Sequence, residues 1–354
     1  MNAYRKAFDE SEKHFEGEIE KYLISPEGGW TKADDSGYRN DMYRGMALDI
    51  VTLTDFVKTS QPMAWRRFER MCNIDPVRQF YKAFDSAVQQ VGLIEVLRHG
   101  FKHRGVQFSV CFFAPESTLN QLAVENYKKN VCQCIRQWHY SETNNNTVDM
   151  MLAINGIPVV AIELKNQLTG QSIDDAKRQW MYDRNPKEQC FRFNQRFLVY
   201  FCVDLYEVAM ATELKGENTF FLPFNQGSNG AGNIGDGGNP QPADGSYATA
   251  YLWERVLSPD MLLSILQRYI SKQQEEKIVL EKGVRKKKKS IKLIFPRYHQ
   301  LDVVEKVVAD TRKTKAGRNY LLQHSAGSGK SNEIAWLTYR LASLHNEEDN
   351  EIFQ

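Results

Sequence analysis

Residues 147–167 read TVDMMLAINGIPVVAIELKNQ, two apolar runs separated by an Asn-Gly pair. Asn-Gly favours the positive φ angles of a tight turn, so the stretch is expected to fold as a β-hairpin. The second run, Pro158-Val159-Val160-Ala161-Ile162, leads straight into Glu163, and Lys165 follows two residues later on the same strand face. Desolvating a carboxylate is costly unless a cation or hydrogen-bond donors compensate. Asp149, near the start of the partner strand, is the natural second carboxylate. Two carboxylates can hold Mg²⁺ and leave waters on the ion, while a nearby ammonium orients the attacking water and stabilises charge at phosphorus. The expected chemistry is phosphodiester hydrolysis, with Asp149 and Glu163 as metal ligands and Lys165 as a catalytic residue. An ion pair at a half-exposed strand end is the competing account.

This chemistry makes a demand on register, because paired residues share a face and successive residues alternate. A two-residue turn at Asn155-Gly156 pairs positions whose numbers sum to 311, which puts Asp149 on the face opposite Glu163. A three-residue loop, Ile154-Asn155-Gly156, makes the sum 310 and returns both to one face. The odd-length loop is therefore expected. A second ExK, Glu213-Leu214-Lys215 with Asp204 upstream, leads into a solvated turn and is read as a decoy.

Hydrophobic residues make up 42% and charged residues 25% of the 354, ordinary values for a soluble chain long enough for two domains. The net charge of +2 is too small to argue for nucleic acid, so local clustering must carry that argument. Six cysteines include no CxxC pair, which argues against a disulfide framework or a zinc site, and Cys132, Cys134 and His139 are read as strand residues. The start lacks a signal core and no apolar run has membrane length, so a cytoplasmic protein without a membrane span is expected.

Helical spacing is expected over 9–23, from Asp75-Pro76 to Gly100, and over 172–183, 259–271, 299–310 and 330–344. Strands are expected over 106–113, 131–140, 197–203, 206–212 and 320–323, with another starting at 351–354. Gln179 and Tyr182, three apart on a helix, share a face that could look back at the carboxylates. Glu16 or Glu20 could add a further carboxylate, against the alternative of a solvated helix face. The Gly- and Asn-rich stretch 225–247 reads as a surface loop, and 272–292, with its basic run at 285–289, as a linker that could touch phosphate backbone.

Near the C-terminus, His324-Ser325-Ala326-Gly327-Ser328-Gly329-Lys330-Ser331 lies between an expected strand and a helix, the order of a phosphate-binding loop. Backbone N–H groups curl round phosphates, Lys330 reaches the outer ones and Ser331 ligates Mg²⁺. His324 replaces the usual first Gly. Gln300 stands where a helicase places an adenine-reading glutamine. The later acidic residue and arginine of an ATPase are not assignable, so this stretch is expected to be the start of a longer protein's motor and not to hydrolyse ATP.

Taken in order, Asp149, Glu163-Leu164-Lys165, Gln179 and Tyr182, YLWERVLSPDMLLSILQRYI at 251–270, RYHQLDVV at 297–304 and QHSAGSGKS at 323–331 closely resemble the N-terminal part of the restriction (R) subunit of type I restriction–modification enzymes. The resemblance implies an α/β architecture: a PD-(D/E)XK-type endonuclease domain over 1–271 with a central mixed sheet flanked by helices, a basic linker over 272–292, and over 293–354 the start of a RecA-like, helicase-like ATPase domain. It implies Mg²⁺ on Asp149 and Glu163, catalysis by Lys165, and Gln179 as the glutamine of a QxxxY motif in which Tyr182 stands one residue early. Gln300, Gly327, Ser328, Gly329, Lys330 and Ser331 are implied to bind ATP with Mg²⁺. The implied partners are double-stranded DNA and the modification (methyltransferase) and specificity subunits, with cleavage coupled to ATP-dependent translocation. Two readings stand beside it: a nuclease–helicase of another defence or repair system, and a translocase with a non-catalytic docking domain. The docking reading puts Asp149 and Glu163 on different faces.

Overall fold

The computed structural model describes residues 12–39, 45–72, 74–167, 170–281, 284–315 and 317–345. The expected helical residues 9–11 and the expected strand at 351–354 lie outside these. The elements are α1 (Glu12–Leu23), β1 (Thr31–Ala33), α2 (Ile50–Ser60), α3 (Pro62–Met71), α4 (Pro76–Val91), α5 (Leu93–His99), β2 (Phe101–His103), β3 (Val106–Phe108) and α6 (Gln121–Tyr127). They continue with β4 (Cys132–His139), β5 (Thr147–Ile154), β6 (Ile157–Leu164), α7 (Ile173–Arg178), β7 (Val199–Val203), β8 (Val208–Ala211) and β9 (Leu222–Pro223). The last are α8 (Pro259–Ser264), β10 (Ser271–Glu281), β11 (Val284–Ile294), α9 (Tyr298–Thr314) and α10 (Lys330–Ala342).

Seven strands form one mixed sheet in the order β1-β4-β5-β6-β7-β8-β9. β1 with β4 and β6 with β7 pair in parallel, and the remaining neighbours antiparallel. The fold is α/β, as expected. Met150, Leu152, Val160 and Ile162 join the core formed with α1, α2, α4 and α5, while Val148, Met151, Ala153 and Ala161 pack on the other side with Ile173, Ala176 and Trp180. Both faces of the central strands are thus covered, which is why they read as unbroken apolar runs. No helix among the described residues is long and apolar enough to cross a membrane.

The hairpin forms, but not through the expected loop. Ile154 faces Ile157 directly across a two-residue turn, with Asn155 at φ 53° and Gly156 at φ 77°, as a type I′ turn requires. Parity changes inside β6 instead. Ala153 pairs with Pro158 and Leu152 with Val160, leaving Val159 as the extra residue of a β-bulge. Beyond it, paired numbers sum to 312, and the same offset sets Asp149 opposite Glu163. Pro158 has no N–H to give a ladder, and a bulge is where a sheet tolerates it.

Other local expectations are corrected in the same way. Asp75 caps α4, accepting from Arg78 N at 2.9 Å, but the helix does not run to Gly100. Gly92, at φ 89°, breaks it, and Asn194 closes the joint by accepting from Leu93 N at 2.7 Å and Ile94 N at 3.1 Å. The expected strand 106–113 pairs only over Val106–Phe108. The supposed linker is a hairpin, with Ser271 opposite Ile294 and Glu281 opposite Val284. Residues 320–323 form no strand, because no described strand lies beside them to supply hydrogen bonds. Of the apolar stripe expected in the last helix, Ile334, Leu337, Leu341 and Leu344, the last three pack into the core with Trp336, whereas Ile334 is 63% exposed.

The type I′ turn is fixed from outside. Asn155 is fully buried, donating from Nδ2 to Val110 O at 2.9 Å and accepting at Oδ1 from Val131 N at 2.7 Å. A Cβ on Gly156 would fall 2.4 Å from Asp49 O. Gly156→Ala should therefore lose roughly 1–3 kcal/mol or more of stability in urea unfolding, from backbone strain plus the clash. An unchanged midpoint would contradict the turn described.

Candidate functional site

Asp149 and Glu163 meet on the side of the sheet covered by α7. Asp149 Oδ2 accepts from Leu164 N at 2.8 Å, and Oδ1 from Gln137 Nε2 at 3.3 Å. Glu163 is fully buried, and its Oε1 accepts from Arg184 Nε at 3.0 Å and from Arg184 Nη2. Its Oε2 is buried without a hydrogen-bond partner. Burial, and then the Asp149 carboxylate, raise Glu163 well above the ordinary carboxylate range against the pull of Arg184. Two crowded carboxylates, one with an oxygen lacking a donor, are the electrostatic setting in which a cation is favoured. The donors are oxygens, so the set fits a hard divalent ion. Lys165 is held at the end of β6, its N donating to Val203 O at 2.9 Å and its Nζ to Leu164 O at 2.9 Å.

Glu16 belongs to this neighbourhood and not to a solvated face. It is 3% exposed and accepts at Oε1 from Gln137 Nε2 at 2.9 Å, so Gln137 bridges α1 to Asp149. Gln137 Oε1 in turn accepts from Thr147 Oγ1 at 2.7 Å. Gln137 has φ 52° in the middle of β4, where the ladder passes from Arg136–Met150 to Trp138–Val148 without it. Such backbone strain is typically held at functional positions. Glu20 is engaged elsewhere, with Lys32 at 3.1 Å and Arg136 at 3.6 Å.

Tyr182 is not brought to the carboxylates. α7 ends at Arg178, and Gln179–Asp183 form a π-helical turn. Its wider spacing shifts the phase of the residues after Gln179, leaving Gln179 half-buried and Tyr182 68% exposed. Arg184 comes inward instead, against the rings of Tyr140 and Trp180 at 5.3 and 5.8 Å, and donates to Thr147 O at 2.7 Å. The second ExK stays apart. Asp204 spends its oxygens on Gln167 Nε2, Ile173 N, Tyr206 N and Glu207 N, at 2.8 to 3.0 Å, and Glu213 pairs with Lys215 at 2.6 Å.

Residues 62–219 match the family model described as the type I restriction enzyme R protein N terminus. Over those residues the chain is similar to that family. No curated protein matches the chain. The matched stretch contains Gln137, Asp149, Glu163, Lys165, Gln179, Tyr182 and Arg184, and ends before the second motif begins.

That second motif, downstream of the matched stretch, is an exposed loop between α9 and α10. Gly327 and Gly329 have φ 76° and 91°, values open to glycine. Gln300 is buried and donates from Nε2 to Ser328 O at 3.0 Å and Gly329 O at 3.2 Å. Lys330 Nζ folds back on the loop, donating to His324 O at 2.9 Å and Ser325 O at 2.8 Å, and Ser331 is exposed. A cleft of about 360 Å³ opens beside it, lined by Gln300, Ser328, Gly329 and Asn332 and by Lys215 and Phe220 from the sheet side.

Because Arg184 is the partner of a fully buried carboxylate, Arg184→Met should lose roughly 3–5 kcal/mol in chemical denaturation. The double variant Glu163→Gln/Arg184→Met should lose less than the sum of the two single variants. Additive losses, or an Arg184→Met variant as stable as the wild type, would contradict the pairing.

Proposed function

We propose that this R-protein domain is the endonuclease of a type I restriction system, hydrolysing DNA phosphodiester bonds with Mg²⁺. The observation that carries the reading is the approach of the Asp149 and Glu163 carboxylates in a buried site where Glu163 Oε2 has no hydrogen-bond partner. Asp149 and Glu163 would hold the ion. When bound, Mg²⁺ polarises the phosphate and lowers the pKa of a coordinated water. Arg184 binds Glu163 Oε1 and leaves Oε2 available, while Gln137 orients Asp149 Oδ1. Lys165 is given the task of orienting the water and stabilising charge at phosphorus. Gln179, at the start of the π turn, is assigned to positioning the DNA backbone or that water.

The proposal extends to a domain division, with 1–271 as nuclease and 293–354 as the start of an ATP-driven motor on double-stranded DNA. Gln300, Gly327, Ser328, Gly329, Lys330 and Ser331 would hold ATP with Mg²⁺, Lys330 exchanging the loop carbonyls for phosphate oxygens. The left-handed glycines and the tie from Gln300 to the loop support this reading. In this account the subunit works with modification and specificity subunits. The docking-domain alternative needs Asp149 and Glu163 on different faces, and the pairing offset runs against it.

The test is cleavage of plasmid DNA in Mg²⁺. Asp149→Asn and Glu163→Gln should abolish it, Lys165→Ala should slow it by roughly 100-fold or more, and Glu213→Gln should leave it unchanged. Cleavage that survives Asp149→Asn in purified protein would contradict the assignment.

A further inference from the structure

His299 at the start of α9, His324 in the loop and Glu333 in α10 bring two imidazole nitrogens and a carboxylate oxygen within 4.8 Å of one another. Glu333 is 1% exposed. His324 Nδ1 lies 2.9 and 3.1 Å from its two oxygens, and His299 Nε2 lies 3.9 Å from Oε1. The two rings meet edge to face with centroids 4.9 Å apart. The cluster gives a role to the histidine that replaces the first Gly of the phosphate-loop pattern, and to a carboxylate on the buried face of α10. The His324 contacts offset part of the cost of burying the Glu333 carboxylate, and a bound cation would offset more of it. Burial lowers the His299 imidazole below its ordinary value, against the bond it makes to Ser328 O. A neutral imidazole is the form that ligates metals.

We propose that His299, His324 and Glu333 form a site for a borderline divalent transition ion of the Zn²⁺ type, separate from the oxygen site of Asp149 and Glu163. Two imidazoles and one carboxylate are a zinc donor set that leaves a position for water, whereas Mg²⁺ prefers oxygen ligands alone. The ion ties the start of α9 and the first turns of α10 to the loop between them. His299 Nε2 contacts Ser328 O at 3.2 Å, so metal and carbonyl compete for the same nitrogen. Occupancy releases the Ser328 carbonyl from this contact and thereby changes the loop that Gln300 also holds.

Co²⁺ is the probe, because its visible absorption reports tetrahedral nitrogen and oxygen coordination. It is titrated into the Asp149→Asn chain, in which the hairpin site is disabled, with folding followed by circular dichroism. One Co²⁺ per chain should bind, be displaced by Zn²⁺ and not by Mg²⁺, and be lost in His324→Ala and in His299→Gln. The His299 side chain is 34% exposed, so His299→Gln retains the fold and decides the matter should His324→Ala not fold. No tetrahedral Co²⁺ absorption in the folded Asp149→Asn chain overturns the proposal, as does absorption undiminished by His299→Gln.

Discussion

A β-strand carries its side chains on alternating faces, so the two-residue turn at Asn155-Gly156 would by itself send Asp149 and Glu163 to opposite sides of the sheet. Val159, the extra residue between the paired Pro158 and Val160, reverses that outcome. Everything else in the site presupposes this offset. Arg184 meets Glu163 because the carboxylate points to the α7 side, and Gln137 bridges Glu16 to Asp149 because Asp149 does too. The turn cannot drift to compensate, since Asn155 is held by Val110, Val131 and Asn130 and Gly156 is pressed against Asp49.

Burial then turns geometry into chemistry. The central hairpin is covered on both faces, and Glu163 sits where water does not screen it. Arg184 neutralises one oxygen. The other faces Asp149, whose charge and hydrogen bonding raise Glu163 further, an arrangement that a divalent ion would relieve. A half-exposed strand-end pair, the competing account of these residues, describes Glu213 and Lys215 better.

Local signals were legible in the sequence, and those that depend on distant partners were not. Asn155-Gly156 announced a turn, Asp75-Pro76 a helix start, and the two apolar runs a buried hairpin. Pro158 and Gly92 also carry their signals, a bulge and a helix break, but turn parity and apolar periodicity point the other way. The basic run at 285–289 suggested a solvated linker, although the stretches around it pair residue for residue in β10 and β11. Tyr182 was placed by helical spacing that a π turn abolishes, and the same turn brings in Arg184, for which no periodic signal existed. Gln137 acts through a strained backbone within a strand, and composition does not reveal φ. The strand expected at 320–323 depended on neighbours that the described residues do not supply.

The central claim is that the bulge at Val159 assembles a cation site from Asp149 and Glu163. It is tested most directly by calorimetric titration of Mn²⁺, an ion that favours oxygen ligands, into the wild-type chain, Asp149→Asn, Glu163→Gln and the control Glu213→Gln. The account predicts binding in the wild type and in the control, and its loss in the two hairpin variants while they remain folded. Equal binding in all four proteins, or none in the folded wild type, would contradict it.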